Sequence, residues 1–261
     1  IEQRRLLQLF HTCQTRYDTC IYLSRLQGFL DVVCFHFDYP DVEVGVFLHQ
    51  LRKEAGQEVR SYGGKYAQPE YIRLVTRSTG GFGAQVKMPI AAGNIFQGEF
   101  DLGSAVSQPR EATRFGEPYN YKPVKLSGEY RFKAGDVFTD GKGNVVVGRK
   151  DIFSIYAIFF ESDDDVKFID SNVHYNDFMH PNMVALANLT DAHETGLGDD
   201  DWVKFEIEFD YDKYKKAVNA DLLAKGVYRL GIVIASSAEG DYFRGAVGST
   251  LDVRNIKVTN E

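Results

Sequence analysis

Hydrophobic and polar residues alternate along several stretches of the last two thirds of this 261-residue chain. The clearest case is the segment 203–209, with the sequence VKFEIEF, in which apolar and charged residues alternate strictly. The segment 124–132 shows a similar alternation around Gly128. A period of two residues places the apolar side chains on one face of a β-strand and the charged ones on the other. These segments therefore predict antiparallel strands with one face in the core and one face in water.

Two further segments, 152–160 and 228–235, are almost continuously apolar. Such runs are typical of central strands that are covered on both faces. The apolar positions of the last strand change phase at residues 254–255, which predicts a β-bulge there. Shorter apolar segments predict additional strands near 72–76, 84–88, 95–102, 183–189 and 251–258.

Helical periodicity is rare in the chain. Residues 211–225 have apolar residues four positions apart, with Gly226 placed to end a helix. Residues 1–34 have apolar residues at three- and four-residue spacing, which favours an amphipathic helix, with a segment foreign to the domain as the alternative. We therefore expect an all-β antiparallel sandwich of the jelly-roll type over residues 35–261, with one short helix, preceded by this N-terminal segment.

Composition and charge exclude several classes of function. The formal net charge is −7 and no basic stripe is interleaved with aromatic residues, which argues against nucleic acid as a partner. No run of 18 apolar residues predicts a membrane-spanning helix, and residues 1–9 do not follow the pattern of a signal peptide. All three cysteines lie within the first 34 residues, so we expect the sandwich to be held by packing without disulfides.

The sequence lacks the GXSXG, HEXXH, P-loop and GXGXXG signatures. The segment 136–144 resembles a calcium-binding loop, but Phe138 and Val147 stand where such a loop needs acidic ligands. It is better interpreted as a hairpin turn. His174, Asp177 and His180, with the nearby pair 193–194, carry metal-ligand chemistry, but scattered histidines on a polar loop are more often solvated. We therefore predict no cofactor and no metal.

Carboxylates could supply hydrolytic chemistry. A glycosidase needs two of them about 5 to 10 Å apart across the sugar. Charged residues on the outer faces of strands are the simpler interpretation, and the sequence does not say which acids would pair. The candidates are Glu99, Asp101, Glu129, Glu161 and Asp241.

Sugar recognition would instead use aromatic rings for the apolar faces of pyranoses, with carboxylates and arginines for the hydroxyl groups. Loops that connect strands are where binding residues tend to lie. An alternative is that these side chains merely cover the ends of the sandwich. Two groups have the required chemistry, one consisting of Arg110, Tyr119 and Tyr121 and the other of Asp241, Tyr242, Phe243 and Arg244.

Three segments in this order, 88–100, 115–130 and 235–251, together resemble the putative carbohydrate metabolism domain. The resemblance extends from about Tyr71 to the C-terminus. That family is associated with jelly-roll sandwiches similar to carbohydrate-binding modules and to some glycoside hydrolases. Relatives tend to carry a Val-Asp-Asp run where this chain has residues 253–255, and related sandwiches can hold a structural calcium with such an Asp. Arg254 cannot ligate calcium, which puts this calcium in doubt.

The resemblance implies a protein of the cell surface or a secreted protein of Gram-negative gut bacteria, often anchored as a lipoprotein. We expect a non-catalytic module whose ligand is a glycan. A glycoside hydrolase that uses a carboxylate pair is the first alternative. The second is a structural or adhesin-like module that binds another protein. The sequence does not indicate which glycan is bound or whether the protein forms oligomers.

Overall fold

The computed structural model describes residues 71–80, 87–101 and 107–261, together with the backbone of 36–38. The predicted N-terminal segment 1–34 lies outside the described residues. No helix within these ranges is long and apolar enough to cross a membrane. The strands are β1 (His36–Asp38), β2 (Tyr71–Val75), β3 (Arg77–Ser78), β4 (Ile90–Ala91), β5 (Asn94–Phe96), β6 (Gly98–Phe100), β7 (Thr113–Phe115), β8 (Glu117–Pro118), β9 (Pro123–Lys133), β10 (Phe138–Thr139), β11 (Ser154–Glu161), β12 (Ile169–Asp170), β13 (Met183–Asn188), β14 (Val203–Glu208), β15 (Tyr228–Ala235), β16 (Gly245–Ala246) and β17 (Thr250–Asn260).

The first main sheet has the strand order β1-β2-β17-β9-β14, and all of its pairs are antiparallel. Strand β2 therefore lies beside β17, the last strand of the chain. The predicted bulge is confirmed, because the register of β17 against β9 shifts between Arg254 and Lys257 and Asn255 has a φ of 55°. The alternation of residues 203–208 turns Phe205 into the core and Lys204 and Glu206 towards water.

The second main sheet has the order β13-β11-β15-β5, with β8 as an additional partner of β15. Residues 155–160 of β11 are all buried, as its continuous apolar sequence predicts for a strand covered on both faces. The inner face of this sheet packs against the first sheet through Phe153, Phe159 and Tyr228, which join Tyr130 and Phe132 in one core. The predicted all-β sandwich is thereby confirmed.

The outer face of the second sheet is covered by a third layer of short elements. A three-stranded sheet with the order β12-β7-β6 packs there, and Phe115 of β7 contacts Tyr156 of β11 edge to face. The resulting second core contains Ile158, Phe160 and Val173. Two small two-stranded sheets, β10-β16 and β3-β4, complete the layers.

The described residues contain three short α-helices: α1 (Pro109–Ala112), α2 (Asn172–Tyr175) and α3 (Ala220–Ala224), with a 3-10 turn at Gly240–Tyr242. The prediction of a single helix over 211–225 was therefore wrong in number and in length. Helix α3 begins only at Ala220, where the side chain of Asn219 caps it, and Gly226 ends it with a φ of +69°. Upstream, the positive φ of Lys215 interrupts the helical pattern.

The strand predicted over 95–102 is divided into β5 and β6 by a kink at Gly98. Gly98 has a φ of +144°, and a side chain there would collide with the backbone of Arg114. The strand predicted near 84–88 lies largely outside the described residues, and Lys87 and Met88 are not in a strand.

Candidate functional site

Three short segments meet over the outer face of the second main sheet. They are helix α1, helix α2 and the 3-10 turn that follows β15. They bring together Arg110, Tyr175, Asp241 and Tyr242, which we call the Asp241 cluster. Both the backbone N–H and the hydroxyl group of Ser171 donate to the carbonyl oxygen of Arg110, at 3.2 and 2.9 Å, and so hold α1 against the start of α2.

The polar contacts within the cluster are direct. The hydroxyl of Tyr175 donates to Oδ1 of Asp241 at 2.8 Å. The Arg110 guanidinium lies 4.5 Å from the centre of the Tyr242 ring, and the Tyr175 ring is in close contact with the Tyr242 ring. Phe243 follows the turn with a φ of 57° and is partly buried.

Burial is the main influence on the Asp241 carboxyl group. It raises the pKa of Asp241 to about 6, against the opposing effects of the Tyr175 hydrogen bond and the nearby Arg110 charge. Under the cluster, the His174 ring stacks on buried Tyr156 with centroids 5.6 Å apart, and burial lowers the pKa of His174. The site therefore contains a carboxyl group that titrates near neutral pH and a histidine that stays neutral there.

The turn that carries Asp241 is anchored by a buried network of hydroxyl groups. Thr76 hydrogen-bonds Ser236 at 2.8 Å and Ser237 at 2.6 Å. The buried carboxylate of Asp151 accepts from the hydroxyls of Ser237 and Ser249, each at 2.6 Å. Desolvation raises the pKa of Asp151 despite these bonds. The network fixes the start of the turn to β2 and to the entry of β17.

A family model described as the putative carbohydrate metabolism domain matches residues 48–259. The chain belongs to this family. Two solved structures are similar to it, each of a putative glycoside hydrolase. The one from Bacteroides vulgatus is 33% identical with a TM-score of 0.71, and the match covers 94% of this chain and 95% of that one. The one from Bacteroides thetaiotaomicron is 43% identical with a TM-score of 0.69, and the match covers 76% of this chain and 55% of that one.

The chain thus spans about half the length of the Bacteroides thetaiotaomicron protein. No curated protein matches it. Membership in the family gives the domain a carbohydrate-related role. It does not distinguish a binding module from a hydrolase.

In this carbohydrate metabolism domain the segment 235–251 forms the anchored turn and the strands that follow it. Gly240 lies so close to Ala92 that a Cβ added to it would be 2.3 Å from the Ala92 Cβ. Only small residues therefore fit where this segment crosses the end of β4. Asp241 and Tyr242 follow directly after that crossing.

Glu239 is, like Tyr175, a functional candidate that sequence analysis missed. It forms ion pairs with Arg149 and with Arg244, the latter at 3.5 Å, and its buried Oε2 has no hydrogen-bond partner. Arg244 also lies 5.4 Å from the ring centre of Tyr242. The sequence did contain a signal that could have identified Glu239, because this residue stands two positions before Asp241 in the segment 235–251 that carries the family resemblance.

The predicted group of Tyr119 and Tyr121 lies elsewhere. The backbone N–H of Tyr119 donates to the carbonyl of Tyr228 at the start of β15, whereas the Asp241 turn follows the end of β15. The eight residues of β15, about 23 Å of extended strand, lie between these two points of the chain. The structure therefore brings Arg110, from the first predicted group, together with the second group. Tyr119 and Tyr121, also from the first group, lie at the end of the sandwich where β15 begins.

The other candidate carboxylates do not join the cluster. Glu129 lies on the outer face of the first sheet, where it accepts from both Arg254 and Asn255. Asp101 pairs with Arg114 at 2.8 Å.

The loops weighed as metal sites have other partners. The segment 136–144 forms the predicted hairpin turn. In it Asp140 accepts from the side-chain amide of Asn144 and from the backbone N–H groups of Asn144 and Lys142, and these bonds lower the pKa of Asp140. His180 accepts the N–H of Asn182. In the part of the chain that the structure describes, no group of three or more His, Cys, Asp or Glu side chains could hold a metal ion.

The outer face of the first sheet carries a separate ion-pair network. Asp252 is fully buried and binds the guanidinium groups of Arg73 and Arg131 at 2.7 and 2.8 Å. Trp202 packs against this network, with the Arg131 and Arg254 guanidinium groups 4.7 and 4.0 Å from its ring centre. The arrangement covers the sheet face and needs no ligand to satisfy its charges.

Proposed function

We propose that this domain is a non-catalytic glycan-binding module and that the Asp241 cluster is its binding site. The single observation that carries the proposal is the meeting of Tyr175, Tyr242, Asp241 and Arg110 on a partly exposed surface. Aromatic rings, a carboxylate and a guanidinium are the groups that pyranose faces and hydroxyls require.

Exposure within the cluster suits this role. The Tyr175 side chain is 36% exposed although it packs against Tyr242 and binds Asp241, so its free face can receive a sugar ring. Its hydrogen bond to Asp241 and its close contact with the Tyr242 ring fix its orientation before any ligand arrives, which reduces the entropic cost of binding. Rigid aromatic anchors of this kind dominate many binding sites.

The test is a glycan-array screen of the domain, followed by calorimetry on the glycans that bind. We expect Tyr175→Ala and Asp241→Asn to weaken binding about tenfold or more, the range for losing one anchor at a binding site. Tyr121→Ala is the matched control, because this tyrosine is 59% exposed at the other end of β15. Loss of binding in Tyr121→Ala with normal binding in Tyr175→Ala would move the site to that end. No binding to any glycan would favour the structural or adhesin-like alternative.

A second candidate function, glycoside hydrolysis, is favoured by the proximity in sequence of Glu239 and Asp241. Burial raises the pKa of Asp241 to about 6, while Glu239 is held by two arginines. A carboxyl group whose pKa is raised by burial is suited to the role of general acid, with Glu239 as the candidate second carboxyl group. Release of reducing ends that disappears in both Glu239→Gln and Asp241→Asn would establish this candidate. Binding without release would leave the module as the function.

We also propose that this protein is exported to the cell surface or secreted. The proposal rests on what the family resemblance implies. Protease treatment of intact cells tests it, because a surface protein is degraded under conditions that leave a cytoplasmic marker intact.

A further inference from the structure

Arg110 differs from the other arginines around the Asp241 cluster. The guanidinium groups of Arg149 and Arg244 both pair with Glu239. Among the described residues, none forms an ion pair or a side-chain hydrogen bond with the guanidinium of Arg110, which lies over the Tyr242 ring. The side chain is partly exposed, so its N–H donors are available on the side away from the ring.

Arginine side chains are concentrated around the cluster in a chain of negative net charge. Three arginines and two carboxyl groups, those of Glu239 and Asp241, surround the cluster, whereas the whole chain carries −7. The negative charge of Glu239 offsets that of one arginine. Asp241 accepts the hydrogen bond of Tyr175, and the charge of Arg110 still acts on its carboxyl group. An anionic ligand is therefore attracted to this surface although the protein as a whole repels it.

We infer that the glycan recognised at this site carries an acidic group, a uronic acid carboxylate or a sulfate ester, and that Arg110 binds it. This inference rests on the proposed binding function of the Asp241 cluster. The guanidinium is planar and presents paired donors that match two oxygens of a carboxylate or a sulfate. Because it lies over Tyr242, it is held in one plane, and the acidic sugar would lie beside Tyr175.

The test pairs each acidic glycan of a panel with its neutral counterpart, obtained by carboxyl reduction or desulfation. Binding is measured by calorimetry at fixed pH and at two salt concentrations. We expect the neutral counterparts to bind about tenfold to a hundredfold more weakly, as the loss of charge-assisted hydrogen bonds implies. Arg110→Gln should cause the same loss on the acidic glycans and little on the neutral ones. The class of acidic glycan that binds more tightly than its neutral counterpart, uronic acid or sulfate ester, identifies the acidic group that the site recognises.

Arg114→Gln is the matched control, because Arg114 lies four residues away and already pairs with Asp101 at 2.8 Å. It should leave binding unchanged. Arg110→Lys keeps the charge without the planar fork and should recover only part of the affinity. Thermal melts of the three variants show whether each is folded.

Equal binding of the acidic and neutral glycans, or unchanged binding in folded Arg110→Gln, would overturn the acidic-group inference and leave the binding function intact. Failure of the wild-type domain to bind any glycan would instead remove the proposed function, and with it this inference.

Discussion

Tyr175 donates a 2.8 Å hydrogen bond from its hydroxyl to Oδ1 of Asp241, which joins helix α2 to a turn 66 residues later in the chain. The bond favours the charged form of the carboxyl group and so acts against burial, which raises the pKa of Asp241. The protonation of Asp241, and with it the charge of the candidate site, therefore depends in part on Tyr175.

Removal of this hydroxyl should change the titration of Asp241. In Tyr175→Phe the carboxylate loses a donor while burial is retained, so we expect the pKa of Asp241 to rise above its value of about 6. Carboxyl-carbon NMR across a pH titration measures it. Tyr119→Phe is the control, because it removes a hydroxyl that donates to Asn260 at the far end of β15. An unchanged Asp241 titration in Tyr175→Phe would show that the bond is absent in solution.

The raised pKa of Asp241 also predicts a pH dependence of stability. Because the folded state binds this proton more tightly than the unfolded state, the group stabilises the fold at low pH, and that contribution is lost as pH rises from about 4 to about 6. Asp241→Asn should remove this part of the slope. The measurement is the difference in unfolding free energy between wild type and variant, from urea titrations at pH 4.5 and pH 7.

Several other groups facing the site titrate, and the difference measurement is designed to cancel them. Burial raises the pKa of Asp151 and lowers that of His174, and both residues are present in wild type and variant. If the variant follows the wild-type slope across the whole range, Asp241 does not have a raised pKa.

Much of the fold could be predicted from the sequence because the signals were local. The strict alternation of 203–209 and the continuous apolar run of 152–160 each report which faces of a strand are covered. The phase change at 254–255 predicted the bulge for the same reason. The helix predicted over 211–225 was too long because Tyr211 and Tyr214 use their hydroxyls to bind the backbone carbonyls of other segments, which periodicity does not reveal.

The candidate site could be predicted only in part. The chemistry of Arg110, Asp241 and Tyr242 was visible in the sequence, but their meeting depends on how α1 and the 3-10 turn fold over the second sheet. Tyr175 drew no attention because its bond to Asp241 spans 66 residues. Tyr119 and Tyr121 have the same chemistry as the cluster and lie at the other end of β15, a distinction that only the strand pairing reveals.

The ion-pair network on the first sheet should contribute strongly to stability. Asp252→Asn leaves Arg131, whose side chain is 5% exposed, without its buried carboxylate, and we expect a loss of about 3 to 5 kcal/mol in the free energy of unfolding. Glu206→Gln is the control, since it breaks an exposed cross-strand pair with Lys125 and should cost far less stability. Urea unfolding of both variants measures the difference. Similar small losses would mean that the Asp252 network is solvated.

The crossing of Gly240 and Ala92 offers a test of how the turn positions the site. In Gly240→Ala the new methyl group would lie 2.3 Å from the Ala92 Cβ, so the turn must shift, at a cost of about 1 to 3 kcal/mol for overpacking. Asp241 and Tyr242 follow directly, so glycan binding should weaken together with stability. Unfolding and binding are measured on the same preparations.

The second substitution Ala92→Gly separates the crossing from other effects of the alanine. It removes the methyl group that the new side chain meets, so the double variant should recover both stability and binding relative to Gly240→Ala. Ala92→Gly alone should be mildly destabilising, because glycine is more flexible in the unfolded chain. If the double variant recovers stability but not binding, the close crossing of Gly240 and Ala92 stabilises the fold but does not position the binding site. If it recovers neither, the contact between Gly240 and Ala92 is not what constrains this turn.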